Sequence, residues 1–381
     1  MKIALVNVEK GSSPPSGADR YAANILSLLA EAEEIELPIH LYVHNNPNIL
    51  KFYCGEFDDK KVKVHYYHPL IDTALAVVLW HLFILPVRLW WRGFDLIHVT
   101  NARPVLRRVL YTIHDVAEVQ IPNKFDHLRT LYRKLLLHWW RHQSQLLTVS
   151  ETAKKDICKA IGMPQDRIWV VPNTVRETPG EVNDKSPPAS VAYLLYIGRI
   201  DHPSKNLTLL LEAFSLCRTE VNLTLAGADA WGSEVVHATA RESVRSGRIH
   251  FTGFIDETER RSLMQSATAL CIPSLHEGFG LPAVEAVYAN LPVLFSDGGA
   301  LPEVMGTKAG CLPSRDVMAW RDAMTRVATD SAFREELRRE QRLGLGDRFK
   351  PDTVLSTLLA SYRHGLQGHT KQVFKRRWES K

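Results

Sequence analysis

Short apolar strands alternate with helical segments along this chain, and the pattern occurs twice. The first half contains strand patterns such as KIALVNV, IHLYVH, FDLIHV and RVLYTIH, and the second half contains YLLYIG, VNLTLAG, RIHFTGF, ALCIPS and LPVLFSD. Helical patterns such as ADRYAANILSLLAEAEE and NLTLLLEAFSLC lie between them. Such alternation predicts parallel sheets that are covered by helices on both faces, which is the α/β class.

The stretch RETPGEVNDKSPPAS, residues 176–190, separates the two halves. It is rich in proline, glycine and charge and has no apolar periodicity, so we predict a linker. The chain of 381 residues also exceeds one ordinary core. We therefore predict two doubly wound, Rossmann-like domains facing a central cleft, at residues 1–175 and 191–355. Ligands of such sheets bind at the carboxyl ends of the strands.

Several classes of protein are disfavoured by simple features of the sequence. The start, MKIALVNVEKGS, favours a first strand over a signal peptide, and five scattered cysteines without a C-x-x-C suit a reducing cytosol. No G-x-G-x-x-G follows a strand, so the fingerprint of a dinucleotide dehydrogenase is missing. We expect a cytoplasmic protein that needs no cofactor.

The segment HEGFGLPAVEA, residues 276–286, places Glu277 and Glu285 on either side of a glycine-rich turn. It follows the strand ALCIPS, and its proline suits the first turn of a helix. Backbone N–H groups near Phe279, Gly280 and Leu281 would then form an anion site. The two carboxylates would repel a phosphate but can accept hydrogen bonds from hydroxyls on either side of it. A nucleotide sugar has this arrangement of groups.

A bound diphosphate also needs cations, and YIGRIDHPSKN supplies Arg199 and Lys205 just after another strand of the second half. Arginine offers a planar fork for phosphate oxygens, and lysine offers a point charge. The sequence contains no D-x-D, so the usual carboxylate pair for a bridging metal is missing, and no metal-ligand cluster is evident. We predict that these two cations and the helix N-terminus neutralise the leaving group without a metal.

These segments resemble the retaining nucleotide-sugar glycosyltransferases of family four, which have the GT-B fold. The resemblance covers nearly the whole chain and is strongest at the E-x7-E signature, Glu277 to Glu285. It implies that the C-terminal segment from about 356 to 381 crosses back to the first domain. One departure from the family is the spacer HPS before Lys205, which is a residue or two longer than in many relatives.

The resemblance also implies roles for individual residues. The positions that match Arg199 and Lys205 hold the donor diphosphate, Glu285 binds the ribose, and Glu277 contacts the transferred sugar. The resemblance places Phe254 and Ile255 beside the nucleobase and Gly17 near the phosphate. His114 ends a strand of the first domain, at a position that lies near the donor sugar in the family. We predict His114 and Glu277 as catalytic residues.

Positive charge is concentrated in the first half and in the C-terminal tail, KQVFKRRWESK. A surface formed by these basic residues could bind an anionic membrane or could simply be solvated. Five tryptophans of the first half could take part in membrane binding, namely Trp80, Trp90, Trp91, Trp139 and Trp140. No nucleic-acid motif accompanies the positive charge. The apolar stretch at residues 70–91 has three interpretations, namely a buried or groove-lining helix, an interfacial helix and, least favoured, a spanning helix.

The sequence thus predicts a retaining, metal-independent hexosyltransferase that faces the cytosol. The donor would be a GDP- or UDP-sugar, with mannose favoured, and the acceptor a saccharide or lipid-linked saccharide in polysaccharide synthesis. Three alternatives remain open. A glycoside phosphorylase of the same fold would cleave its substrate without nucleotide, a non-catalytic nucleotide-sugar sensor would bind without transfer, and a structural membrane-surface protein would bind vesicles only.

Overall fold

We describe the chain from a computed structural model. Its described residues are 1–8, 16–46, 58, 60–67, 73–101, 103–106, 109–116, 119, 121, 127–175 and 192–379, and side chains are described for these except at 74, 127–129 and 367–379. The predicted linker, 176–190, lies outside the described residues. The chain divides into two compact units, the first comprising Met1–Val116, Leu128–Thr174 and Phe349–Lys381 and the second Ala117–His127 and Val175–Arg348.

Within its described residues, the first unit contains a parallel sheet of seven strands in the order β3-β2-β1-β4-β5-β6-β7. The strands are β1 Lys2–Asn7, β2 Glu36–His44, β3 Val62–Tyr67, β4 Leu96–Val99, β5 Leu110–Thr112, β6 Leu146–Thr148 and β7 Ile168–Val170. The helices are α1 Gly17–Glu31, α2 Ala74–Leu79, α3 Leu85–Arg92, α4 His127–Arg141, α5 Glu151–Ile161 and the C-terminal α13 Pro351–Glu379. A 3₁₀ turn, Gln165–Arg167, precedes β7.

The second unit contains a parallel sheet whose described strands have the order β10-β9-β8-β11-β12-β13. They are β8 Tyr193–Ile197, β9 Asn222–Ala226, β10 Ile249–Gly253, β11 Ala269–Ile272, β12 Val293–Ser296 and β13 Cys311–Leu312. The helices are α6 Leu207–Ser215, α7 Ser233–Glu242, α8 Glu257–Ser266, α9 Leu281–Tyr288, α10 Leu301–Met305, α11 Val317–Thr329 and α12 Ser331–Leu345. A 3₁₀ turn, Ser246–Arg248, precedes β10.

The central strands are buried on both faces, as parallel strands between helices must be. All residues of β4, β11 and β12 are buried, and α6 buries six of its nine residues against the second core. The predicted fold is therefore confirmed: two parallel-sheet α/β units form from the alternating pattern. Strand β13 was not predicted because two residues are too few to show a period.

The C-terminal helix α13 belongs to the first unit, where its side chains reach a buried histidine. Tyr362 Oη lies 2.7 Å from His98 Nδ1, and His98 Nε2 lies 2.7 Å from Thr112 Oγ1. Gln145 Nε2 also donates to the Ser361 carbonyl at 3.1 Å. The segment that joins this unit begins at Phe349, somewhat before the expected boundary near residue 356.

The apolar stretch near residue 80 forms one helical run, α2 and α3 joined by a π turn at Trp80–Ile84. In this turn the Leu85 N–H donates to the Trp80 carbonyl, five residues back. The widened turn comes just before Pro86, whose ring would otherwise clash with the preceding turn of a regular helix. By length and composition, Leu75–Arg92 could cross a membrane, and 28% of it is buried. Trp80, Leu85 and Leu89 pack in the core of the first unit, so the run lies along the unit as a surface helix.

Candidate donor site

Two neighbouring strands of the second sheet, β8 and β11, bring Lys205 and Glu277 together at their carboxyl ends. Lys205 Nζ lies 2.7 Å from Glu277 Oε1, and the Ser274 hydroxyl donates to the same oxygen at 2.7 Å. The Lys205 and Glu277 side chains are 20% and 18% exposed. They are therefore sheltered enough for a strong interaction but open enough to exchange partners.

The loop after β8 is fixed by its own hydrogen bonds. Asp201 Oδ1 accepts from the Ser204 hydroxyl and, at 3.2 Å, from the Lys205 N–H. Asn206 adopts a left-handed conformation, φ 54°, and its side-chain amide donates to the Pro273 carbonyl at 3.0 Å and the Ser314 carbonyl at 2.8 Å. This loop, which contains the longer spacer HPS, therefore holds Lys205 against the loop after β11.

Glycines allow the loops at this end of the sheet to pack backbone to backbone. Gly299 has φ +63°, and a Cβ atom there would lie 2.4 Å from the Glu277 carbonyl oxygen. Ala300 N–H donates to that same carbonyl at 2.8 Å. Gly298 is equally close to the carbonyls that precede Glu277, since a Cβ there would lie 2.4 Å from Ser274 O. The Gly298–Gly299 turn after β12 thus packs directly against the backbone of the Glu277 loop. No pattern of side chains in the sequence indicates this role.

The second glutamate, Glu285, is also paired, with a residue that the sequence analysis missed. Arg260 Nε donates to Glu285 Oε2 at 3.0 Å, and Arg260 Nη2 also contacts that oxygen. Each side chain is only 12% exposed. Arg260 lies on α8, whose start is fixed by a capping box between Asp256 and Glu259. Both glutamates of the E-x7-E segment therefore have a cationic partner from a neighbouring element.

The turn between the glutamates forms as the sequence predicts. Gly280, with φ +86°, is the N-cap of α9, and Pro282 occupies its first turn. The side chains of Phe279 and Leu281 are 4% and 8% exposed. Any donor contact at these two positions must therefore come from the backbone, while their side chains anchor the turn in the core.

The remaining predicted residues of the second unit follow β8 and β10 of the same sheet. Arg199 follows β8 with an exposed side chain, and among the described residues it makes no ion pair. Its carbonyl accepts from the buried Tyr196 hydroxyl at 2.8 Å, which fixes the backbone beneath the guanidinium. Phe254 is 51% exposed and Ile255 half-buried, just after β10 and before α8. The exposed ring is available for stacking.

In the first unit, a polar network lies at the carboxyl ends of β1, β4 and β5. Asp19 Oδ1 accepts from the Asn7 amide at 2.5 Å, and Asp19 Oδ2 accepts from the Ser16 N–H at 2.6 Å. Thr100 Oγ1 donates to Asn7 Oδ1 at 2.9 Å. Ser16 is the N-cap of α1, so this network fixes the helix start at Gly17, where a Cβ would meet nothing within 4 Å.

His114 follows β5 in the same unit. Its Nε2–H donates to the Thr100 carbonyl at 3.1 Å, and its ring packs edge-on against Tyr21 with centroids 4.9 Å apart. Burial, the largest cause, lowers the pKa of His114, although the Thr100 carbonyl and Asp115 act in the opposite direction. The ring is therefore neutral near pH 7, with Nδ1 as its acceptor nitrogen.

Among the residues that the structure describes, no group of three or more histidine, cysteine, aspartate or glutamate side chains is arranged to hold a metal ion. Of the cationic side chains described above, Lys205 and Arg260 each pair with a glutamate of the E-x7-E segment, and Arg199 is exposed after β8.

Two family models match the chain, one to each half. The model "Glycosyltransferase Family 4" matches residues 15–178, and the model "Glycosyl transferases group 1" matches residues 192–330. The two matches meet near the predicted linker and together cover most of the chain.

Individual relatives agree with these models. The chain is 30% identical over 243 residues to the O-antigen chain mannosyltransferase B of Escherichia coli, covering 60% of this chain but only 64% of that protein. It is 24% identical over 334 residues to the O-antigen chain mannosyltransferase RfbU of Salmonella typhimurium, covering 85% of this chain and 90% of the relative.

Among solved structures, Anabaena Alr3699/HepE in complex with UDP and glucose superposes with a TM-score of 0.72 at 16% identity, covering 96% of this chain and all of that one. This likeness shows a shared fold. The two family models and the mannosyltransferase relatives show that the chain belongs to the family-four-like glycosyltransferases, which have the GT-B fold.

Proposed function

We propose that this protein is a retaining, metal-independent hexosyltransferase that moves a hexose from a GDP- or UDP-sugar to a saccharide or lipid-linked saccharide. The observation that carries the proposal is the Lys205–Glu277 ion pair at adjoining strand ends. In this proposal, Lys205 of the pair is the cation for the diphosphate and Glu277 is the carboxylate for the sugar. The family membership and the O-antigen mannosyltransferase relatives support the same activity.

When the donor binds, its diphosphate would replace Glu277 as the partner of Lys205. Lys205 leaves Glu277 to contact a phosphate oxygen, and Glu277 then accepts hydrogen bonds from hydroxyls of the transferred sugar. Because both side chains are partly exposed, this exchange needs no opening of the core. Arg199, exposed at the end of β8, adds a second positive charge. Fixed positive groups of this kind stabilise a leaving diphosphate without a metal ion.

Glu285 would bind the ribose hydroxyls of the donor, and Arg260 would act as its positioning residue. Two guanidinium contacts hold Glu285 Oε2 and so orient the carboxylate that would meet the ribose. The low exposure of both side chains keeps the pair in a medium where such hydrogen bonds are strong. The backbone turn from Phe279 to Leu281 would lie against the phosphates, and Phe254 and Ile255 would lie beside the nucleobase.

The transfer step needs no protein nucleophile. The bond from the anomeric carbon to the diphosphate oxygen breaks, the acceptor oxygen bonds to that carbon on the same face, and the acceptor proton passes to the departing diphosphate. Glu277 steadies the positive charge that develops on the sugar. His114, as a neutral ring, accepts a hydrogen bond from a sugar hydroxyl through Nδ1, and Gly17 at the start of α1 approaches a phosphate.

We favour GDP-mannose as donor because the relatives named above transfer mannose. UDP-glucose is the main rival, since the superposed Anabaena protein has been solved with it. A thermal-shift panel of UDP, GDP, ADP and their sugars decides between them. A ligand at 100 times its Kd should raise the free energy of unfolding by about 2.7 kcal/mol. If no nucleotide stabilises the protein while inorganic phosphate supports cleavage of a glycoside, the proposal fails in favour of phosphorolysis.

A further inference from the structure

The helical run from α2 to α3 has an outer face that is apolar and exposed. Leucines, phenylalanine, valine and tryptophans recur at helical spacing along it, with exposures of 67% for Leu75, 61% for Phe83, 55% for Val87, 70% for Trp90 and 79% for Trp91. A helix at a protein surface normally turns polar side chains outward. A continuous apolar stripe with two tryptophans at one end therefore indicates a surface that meets a partner.

Fewer of the tryptophans are exposed than the sequence analysis expects. Trp80 and Trp140 are 4% and 0% exposed in the core of the first unit, so the expectation that they face a membrane is wrong. Trp139 is half-buried and donates to the Tyr111 hydroxyl at 3.3 Å. Only 28% of Leu75–Arg92 is buried, so the described part of residues 70–91 is not a buried helix, and its inner side alone packs in the core.

Basic side chains gather at the C-terminal end of this run. Lys2 Nζ donates to the Arg92 carbonyl at 2.8 Å, and Arg92 Nη1 lies 3.3 Å from His65 Nε2. Arg88 and Lys63 act electrostatically on the same histidine. We refer to Lys2, Lys63, Arg88 and Arg92 as the basic cluster. The nearby carboxylate of Asp95 accepts from the Lys2 N–H at 2.8 Å, so one acid partly offsets the four cations.

Two histidines, His40 and His65, lie next to the basic cluster. His40 Nδ1 lies 2.8 Å from His65 Nε2. Burial, aided by Arg92 and other nearby cations, lowers the pKa of both rings to about 4. Two neutral rings can make this contact only if one nitrogen donates and the other accepts. Because Arg92 Nη1 can only donate to His65 Nε2, His65 Nε2 is the acceptor and His40 Nδ1–H the donor.

We propose that the outer face of α2–α3 and the basic cluster together form a docking surface for an anionic lipid bilayer. The helical run would lie in the plane of the headgroups, with its apolar stripe and Trp90 and Trp91 among the acyl chains and Arg88 and Arg92 on phosphates. Interfacial helices combine these features. Charge complementarity favours this occupant over a second copy of the chain, whose basic clusters would repel each other. Binding of a bilayer to this surface does not depend on the proposed transfer reaction.

The test uses the full chain and sedimentation with vesicles of phosphatidylcholine alone or mixed equally with phosphatidylglycerol. We expect binding to the mixed vesicles, release by salt, and a blue shift of tryptophan fluorescence. R88Q/R92Q should weaken binding about fivefold for each charge removed. W90S/W91S should weaken it at least as much and abolish the blue shift. R261Q/R339Q and V244S/M318S, which alter exposed side chains of the second unit, should bind normally.

Each variant is first checked for an unchanged melting temperature, which these exposed positions should allow. Equal binding to both kinds of vesicle, no binding, or binding that both α2–α3 variants leave intact would overturn the proposal. If instead the wild type self-associates in sedimentation velocity and W90S/W91S abolishes this without any vesicle binding, the face is a protein interface and the lipid proposal is wrong.

Discussion

Lys205 Nζ and Glu277 Oε1 lie 2.7 Å apart, although 72 residues separate them along the chain. The two side chains stand at the carboxyl ends of β8 and β11, which pair directly in the second sheet. Parallel sheets place ligand sites at this edge. The pair joins the diphosphate-binding and sugar-binding functions that we propose for this end of the sheet.

Lys205→Ala should weaken nucleoside diphosphate binding and slow transfer, because a sheltered positive group is lost from the phosphate site. Removing one such group costs about 100-fold or more in rate. Isothermal titration with GDP and UDP and a transfer assay measure both effects. Lys308→Ala, which changes an exposed lysine of the same unit, serves as control. Affinity and turnover equal to the control would remove Lys205 from the site.

Substituting glutamine for each glutamate should change different quantities, kcat for one and nucleotide affinity for the other. Glu277→Gln should lower kcat more than nucleotide affinity, because the proposed contact is with the sugar, where charge develops in the transition state. Glu285→Gln should weaken nucleotide binding roughly tenfold, since a hydrogen bond to a charged group is lost. Steady-state kinetics and direct titration separate the two. Identical effects of both variants on kcat and Kd would contradict these assignments.

Arg260→Ala should mimic Glu285→Gln, because the guanidinium holds the Glu285 carboxylate in place. We expect about tenfold weaker binding of the nucleoside diphosphate, with binding of inorganic pyrophosphate unchanged. Arg260→Lys should recover part of the loss. The neighbouring Arg261→Ala is the matched control, since Arg261 forms an exposed pair with Glu257 on the same helix. A purely structural Arg260 would weaken both ligands alike.

Buried neutral histidines should make the fold sensitive to acid. Burial, the largest cause, lowers the pKa of His98 to about 3, whereas an unfolded histidine titrates near 6.5. Below pH 6.5, His98 binds a proton in the unfolded chain but not in the folded chain. The free energy of unfolding therefore falls as the pH falls towards 3. Each such histidine adds a slope of up to about 1.4 kcal/mol per pH unit. Its full contribution to stability is present above pH 6.5.

Urea unfolding between pH 7.5 and 5 measures that slope. His98→Gln should reduce it, whereas Tyr362→Phe, which removes the hydrogen-bonding partner but keeps the titrating ring, should lower stability with the slope retained. An unchanged slope in His98→Gln would mean that His98 titrates equally in both states.

Strand and helix periodicity predicts the fold because each buried strand is a short apolar run of its own. The E-x7-E segment likewise predicts the Gly280 turn and the start of α9, since glycine and proline act locally. Arg260 escapes prediction because ETERRSLMQS resembles any polar surface helix; only the fold turns one of its two adjacent arginines toward Glu285. The apolar stretch at residues 70–91 leaves three interpretations open, because an apolar run alone does not reveal which side of a helix is covered.

The retaining, metal-independent transfer is tested most directly by NMR of the anomeric proton. The protein is incubated with GDP-mannose and a mannose-terminated oligosaccharide in excess EDTA, and the same reaction is repeated with UDP-glucose. We expect transfer without added metal and a new linkage with the same anomeric configuration as the donor. An inverted product, or activity that EDTA abolishes and magnesium or manganese restores, would contradict this expectation.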